Sequence, residues 1–224
     1  MRFCLLLIAG LGPLMLQAQA RYCLADYLSN SPNDTLQLRY ALPAYRIGQP
    51  MLLSFEALEN GLIKRVLNSE TYQSYAIDSL QGWAIHQLGE VQGVTYLLEA
   101  PLVLAPNIVA QGEEFFGQTS YTALENGRRT GKGMVSSKVK IQGHDSTSSY
   151  LYNFGDCLVL RTTLEYHTPD GVAIGQELKQ WFARGVGLVK VAGTQYKKNK
   201  NGQFVFSEKL AALLEEAFIG GKKL

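Results

Sequence analysis

The stretch Cys157-Leu158-Val159-Leu160-Arg161-Thr162-Thr163-Leu164-Glu165-Tyr166 decides the fold class. Leu158, Leu160, Thr162, Leu164 and Tyr166 recur at every second position and form a largely apolar row, while Arg161, Thr163 and Glu165 stand between them. A period of two is that of a strand, whose successive side chains point to opposite faces, and an apolar row backed by a polar one is a half-buried antiparallel strand. The same alternation continues on both sides. Val135, Val139 and Ile141 alternate with Ser136, Lys138 and Lys140, and Val172, Ile174, Leu178 and Phe182 face away from Glu177 and Lys179.

Between these runs lie residues that tolerate a positive φ. Asn60-Gly61, Asn126-Gly127, Pro169-Asp170-Gly171 and Asn201-Gly202 each read as a hairpin turn. The strands joined at Asn126-Gly127 and at Pro169-Asp170-Gly171 are long, about ten residues or more, which suits a strongly curved sheet better than a sandwich of short strands. Gly131, Gly133 and Gly175 are placed to supply the curvature. Helical spacing is confined to the C-terminus. Leu210, Ala211, Leu213, Leu214, Ala217 and Phe218 recur at intervals of three and four after Ser207, an N-cap residue, and Gly220-Gly221 ends the pattern. The expectation is an amphipathic helix over Glu208–Phe218.

The N-terminus reads as a cleavable secretory signal over residues 1–20. Met1 and Arg2 precede the apolar run Cys4–Leu11, and Ala18-Gln19-Ala20 supplies small residues at alternate positions. The run is too short to span a membrane. Cys23 follows Arg21 and Tyr22 and not the small residues a lipid-anchor site needs. Residues 21–224 are therefore expected to form one soluble β-rich domain, with a division into two halves near 100–110, where Pro101 and Pro106 interrupt the register, as the alternative. Loss of Arg2 lowers the formal charge from +2 to +1, which offers nucleic acid no electrostatic footprint. With Cys4 removed, Cys23 and Cys157 remain. In an oxidising compartment they are expected to form a disulfide, the alternative being two unlinked buried thiols.

Three segments carry a resemblance to a family. Pro101-Leu102-Val103-Leu104 with Gly112, the run from Gly155 to Arg161, and above all Gln180-Trp181-Phe182-Ala183-Arg184-Gly185-Val186-Gly187-Leu188-Val189-Lys190 resemble the TapB-like exported proteins of the bacterial envelope. The likeness covers roughly Cys23 to Tyr196, and Arg184 stands where that family usually has proline. It implies a curved antiparallel sheet or half-barrel shaped like the envelope lipoprotein carriers, and no assigned activity. In the most specific run, Trp181 closes a strand, Gly185 and Gly187 permit a tight reversal, and Leu188–Val191 begin the returning strand. Arg184 at the tip is a candidate contact for a ligand or partner.

No catalytic or metal-binding motif is found, so the expectation is a non-enzymatic protein with no cofactor. His86, His144 and His167 have no metal ligand near them in sequence; His86 reads as structural, and His144 and His167 as exposed turn histidines. Gly127–Gly133 fails as a phosphate loop, since its glycine spacing is one residue short and no Ser or Thr follows Lys132. Lys197, Lys198 and Lys200 flank a turn and read as solubilising charge, with contact to anionic lipid as the alternative. If the sheet curves, Leu158, Leu160, Leu164, Ile174, Leu178 and Phe182 converge on its concave face, which the chain itself, the C-terminal helix or a ligand must fill. The favoured function is a periplasmic or secreted envelope protein that binds an apolar ligand or lipid there. An assembly protein that offers a sheet edge or the helix to a protein partner comes second, and a hydrolase third.

Overall fold

A computed structural model describes residues 20–28, 31–58, 61–68, 71–78, 82–91 and 94–224. The expected signal segment falls outside these residues except for Ala20, as does Asn60 of the Asn60-Gly61 turn. The described strands are β1 (Arg21–Cys23), β2 (Thr35–Leu42), β3 (Pro50–Ala57), β4 (Ile63–Leu67), β5 (Thr71–Asp78), β6 (Gly82–Val91), β7 (Val94–Leu98), β8 (Leu102–Ala105), β9 (Ile108–Ala110), β10 (Glu114–Glu125), β11 (Arg128–Ser148), β12 (Asn153–His167), β13 (Ala173–Ala183), β14 (Gly187–Lys198), β15 (Phe204–Ile219) and β16 (Lys222–Lys223). Helical structure among the described residues is limited to two short 3-10 turns, Leu24–Asp26 and Ala44–Arg46.

Twelve strands close into an antiparallel barrel in the order β14, β13, β12, β11, β10, β7, β6, β5, β4, β3, β2, β15, and β15 pairs back onto β14. The closed wall corrects the expected open half-barrel, and the correction turns on one segment. Glu208–Phe218 is not a helix but part of β15, paired with β14 on one side and β2 on the other. The misreading has a physical cause. Leu210, Ala212 and Leu214 share the inward face at the strand period, and a register shift between Leu214 and Glu216 inserts one residue, so the next inward side chain is Ala217. The resulting intervals, Leu210 to Leu214 and Leu214 to Ala217, are the four and three of a helix. A bulge in a strand has imitated helical spacing, and two pairing partners outweigh the helix propensity of Leu, Ala, Glu and Lys.

The long hairpins set the inner rows. Asn126 (φ 50°) and Gly127 (φ 73°) join β10 to β11 with positive φ at both turn positions, a turn whose twist matches that of the strands it connects. Across the wall, Val139 pairs with Thr162, Thr162 with Leu178, Leu178 with Gly193 and Gly193 with Leu210, so these five residues share one row on the inner face. Leu158, Leu160, Leu164, Leu178 and Phe182 are all buried. Trp181, by contrast, pairs with Val159 and Lys190 on the outer face, where Lys179 and Lys190 lie against its ring at 4.6 Å each. Gly185 (φ 70°) and Gly187 (φ 97°) make the reversal between β13 and β14.

One end of the barrel is filled by the chain. β1 pairs with β9, and the backbone of Gly112 and Glu113 hydrogen-bonds Ile141 of β11. β8 pairs with the first part of β6 and runs so close to the inner face of β10 that a Cβ at Gly117 would stand 2.2 Å from the Val103 carbonyl oxygen. Only glycine fits there. The turn Leu24–Asp26 and the residues after it bury Leu24, Tyr27 and Leu28 at this end.

The expected disulfide is also corrected: Cys23 and Cys157 are both free thiols. In β1 alternate side chains point opposite ways, and Tyr22 takes the inward direction, its ring 4.5 Å from that of His144. Cys23 faces the other way, with its Sγ 3.7 Å from Asn107 Oδ1. Cys157 lies fully buried in the barrel wall, where burial first and the charges of Asp156 and Asp145 second push its thiol up to about 11.

Candidate functional site

The packing that closes one end of the barrel leaves a cavity in the other. It has a volume of about 530 Å³ and is walled by Tyr40, Met51 and Leu53 on one side and by Leu178, Val191 and Leu210 on the other. That volume lies within the roughly 300–1,000 Å³ of small-molecule sites. Exposure along the inner row of β13 shows which way the cavity opens: Phe182 is 4% exposed, Leu178 8% and Ile174 49%. Ile174, Lys197 and Phe206 form the mouth, beside the β12–β13 and β14–β15 turns. Of the six side chains expected on the concave face, Ile174 and Leu178 line this cavity, Phe182 lines a smaller void of about 30 Å³, and Leu158, Leu160 and Leu164 pack into the wall and core.

Arg65 stands at the inner end. In β4 it pairs with Phe55 of β3, which turns it to the lumen with Leu67. It lines both the cavity and the smaller void, which Leu28, Phe55, Tyr75, Trp83 and Phe182 enclose with it. Its guanidinium lies 6.0 Å from the centroid of the Tyr75 ring. Burial lowers the pKa of Arg65, and the Tyr75 and Tyr166 hydroxyls act in the opposite direction. The same burial pushes Tyr75 up to about 12 and raises Tyr166 as well, so both phenols are neutral hydrogen-bonding groups across the physiological range. A guanidinium stays protonated under any such shift. The remaining polar lining includes Tyr40, Tyr196 and three glutamines: Gln180, which accepts a hydrogen bond from the Thr162 hydroxyl at 2.8 Å, and Gln176 and Gln195. No Asp or Glu belongs to the described lining, whose charged members are Arg65 and Lys197.

Outside the mouth, the polar row of β12 and β14 is tied together. Glu165 accepts hydrogen bonds from Tyr196 at 2.7 Å and Lys198 at 2.8 Å, and His167 lies 3.1 Å away. Tyr196 covers Gly175, where a Cβ would stand 2.7 Å from the ring, so this glycine admits an aromatic cover over the wall. Phe204, Val205 and Phe206 are exposed after the β14–β15 turn.

At the filled end a polar chain fastens the N-terminal residues. His144 Nδ1 lies 2.7 Å from Asp156, and its Nε2 lies 2.9 Å from the Tyr27 hydroxyl, which accepts a 3.4 Å hydrogen bond from Arg184. Asp156 and the Tyr27 hydroxyl thus hold the two ring nitrogens of His144. Arg184 also meets Asp26 at 3.6 Å, and the Gly185 amide donates to the Asp26 carbonyl. His144 is exposed, as expected, but lies in β11 and not in a turn. The Asp156–His144–Tyr27 order resembles a catalytic relay, but the Tyr27 side chain is buried and lines neither void. Its chemistry is that of a latch. His86 lies in β6 with its buried Nε2 lacking a hydrogen-bond partner, and among the described residues no three His, Cys, Asp or Glu side chains gather as a metal site.

No family model and no curated protein matches the chain, so no family model stands behind the TapB-like resemblance. Two crystal structures are similar at low level. One is a "putative lipoprotein" of Parabacteroides distasonis, 14% identical, with 85% of this chain and 97% of that one covered at a TM-score of 0.41. The other is a "putative exported protein with YmcC-like fold" from Bacteroides fragilis, 11% identical, with coverage of 85% and 98% at a TM-score of 0.43. At these scores the likeness assigns neither a fold family nor a role.

Proposed function

We propose that this chain is an exported, non-catalytic binding protein that holds an apolar ligand in the lumen of its barrel. The single observation that carries the reading is the cavity of about 530 Å³ inside the barrel, open at Ile174, Lys197 and Phe206. The polarity of the wall fits a barrel in water. Its inner rows are mixed, with Leu158, Leu160, Leu164 and Leu178 beside Thr162, Gln176 and Gln180, while Arg161, Glu177 and Lys179 lie on the outer face of β12 and β13, where a membrane-spanning barrel has its lipid-facing apolar band. Export rests on the pattern of residues 1–20. The concave face needs another occupant, because the helix expected to cover it is part of the wall. The assembly reading relied on an open sheet edge or that helix; the helix is part of the wall, and among the described residues the strands outside the closed ring are short ones such as β1, β9 and β16.

Native mass spectrometry of protein purified from its own envelope tests the proposal, together with titration of the neutral hydrophobic fluorophore N-phenyl-1-naphthylamine. The expected results are a co-purified small amphiphile and saturable probe binding that Leu210→Trp, which adds bulk at the cavity wall, weakens. A protein that carries no ligand and binds no probe would overturn the reading.

A further inference from the structure

The rim of the mouth carries apolar side chains that the lumen does not use. Phe206 pairs with Lys197 and turns to the mouth, but a register shift at the start of β15 inserts Val205. Phe204 therefore pairs with Lys198 on the outer face, where its ring lies 5.5 Å from that of Tyr196 and 5.4 Å from the Lys198 ammonium. All three side chains are exposed, so the end of β15 is apolar on both of its faces. The connection from β2 to β3 adds exposed Tyr45 and Ile47, and the Tyr45 hydroxyl donates to Glu208 at 2.9 Å, which places that connection beside β15. On the other side, a Cβ at Gly171 would stand 3.3 Å from the Lys200 Cβ, so the β12–β13 turn, with exposed Ile174 just beyond it, lies against the β14–β15 turn.

Cations are interleaved with this apolar edge. Lys197 and Lys198 end β14, Lys200 follows in the turn, and the Arg46 guanidinium lies 5.5 Å from the centroid of the Tyr45 ring. The carboxylates of the same edge are engaged within the chain: Glu208 by the Tyr45 hydroxyl, Glu165 by Tyr196 and Lys198, and Asp170 by the Thr168 hydroxyl. We propose that this rim is a docking surface for an anionic lipid bilayer, with Ile47, Phe204, Val205 and Phe206 in the headgroup boundary and Arg46, Lys197 and Lys200 against lipid phosphates. The surface goes beyond the lumen reading and does not depend on what the lumen holds.

Three physical points favour a bilayer. A partner helix or strand lays one face into a groove or along an edge, whereas a bilayer receives apolar side chains from both faces of a projecting strand end. Aromatic rings with cations beside them match the layered interface, in which apolar chains lie under anionic headgroups. Exposed apolar side chains gathered on one rim mark an interaction site, while the same residues scattered singly would not. In this orientation the mouth faces the lipid.

Cosedimentation of the purified protein with vesicles tests the proposal, using phosphatidylcholine alone and phosphatidylcholine mixed with phosphatidylglycerol. Binding to the anionic vesicles is expected, weakening as salt is added. Lys200→Gln should reduce it about fivefold, the worth of one cation near an anionic leaflet, and Phe204→Ser about tenfold, through the loss of a partly buried aromatic ring. Lys222→Gln, on exposed β16 at the opposite end of β15, should leave it unchanged. Equal binding to both kinds of vesicle, or a loss with Lys222→Gln as large as with Lys200→Gln, overturns the proposal. Absence of vesicle binding also overturns it, and a photocrosslinker at position 204 in the intact envelope then tells whether a second copy or another protein covers the rim.

Discussion

The two ends of the barrel are made from the same alternating strands, and they differ in what the chain puts between the walls. At the filled end Leu24, Tyr27 and Leu28 enter from a short N-terminal segment, and the Asp156–His144–Tyr27–Arg184 chain holds that segment in place. At the mouth nothing comparable enters among the described residues, and Ile174 and Phe206 are exposed on the rim of a cavity. An apolar inner row calls for a filling but does not name it. A barrel of this size is closed by its own residues where they are available and by ligand where they are not.

The largest effect expected concerns the strand that serves both ends. A chain ending at Phe206 removes β15 from between β14 and β2, and urea unfolding followed by circular dichroism should show no cooperative transition. A truncated chain that unfolds cooperatively would mean that this segment is dispensable to the wall. Next, the two ends should respond unequally to the same truncation. Leu24→Ala deletes a fully buried side chain and is expected to lower the unfolding free energy by about 2–5 kcal/mol, whereas Ile174→Ala at the rim should change it by roughly 0.5 kcal/mol. Equal effects would erase the distinction between filled and open ends.

A smaller change should come from the latch. Tyr27→Phe keeps the ring and removes the hydroxyl shared by His144 and Arg184, with an expected loss of about 0.5–1.5 kcal/mol in chemical denaturation. No loss at all would show that the segment is held by packing alone. The smallest effect lies outside the mouth. Burial acts to raise the pKa of Glu165, but hydrogen bonds from Lys198 and Tyr196 outweigh it, and the net shift is downward. A carboxyl with a depressed folded pKa contributes stability that is present above the ordinary glutamate range, about 4.3, and is lost as the pH falls through that range toward the folded value. Unfolding midpoints measured from pH 6 to pH 3 should therefore decline less steeply in Glu165→Gln than in the parent protein. Parallel profiles would remove Glu165 from the account.

Much of the wall was legible because its signals are local. The rows Leu158–Tyr166 and Val135–Ile141 alternate over long stretches, and Asn126-Gly127 stands where only a residue pair tolerant of positive φ can turn a two-residue hairpin. The cavity was legible only as a concave apolar face in need of a filling. Arg65 was missed, although a signal for it exists: Ile63, Arg65 and Leu67 alternate, so an arginine shares one face of a short strand with two aliphatic residues. What the sequence does not reveal is which face of so short a strand is the inner one. Cys23 and Cys157 were paired by counting, and counting contains no direction. Tyr22 takes the inward position in β1, so Cys23 points to Asn107.

By itself the sequence determined that this chain is built from long antiparallel strands, where most of their turns lie, and which side chains form the apolar rows, because strand period and turn chemistry act between residues close in the chain. Only the tertiary structure decided that Phe204–Ile219 is a strand and that the wall closes. The spacing of Leu210, Leu214 and Ala217 satisfies a helix and a bulged strand equally, and the choice between them is made by β14 and β2, whose edges are left without partners unless β15 lies between them.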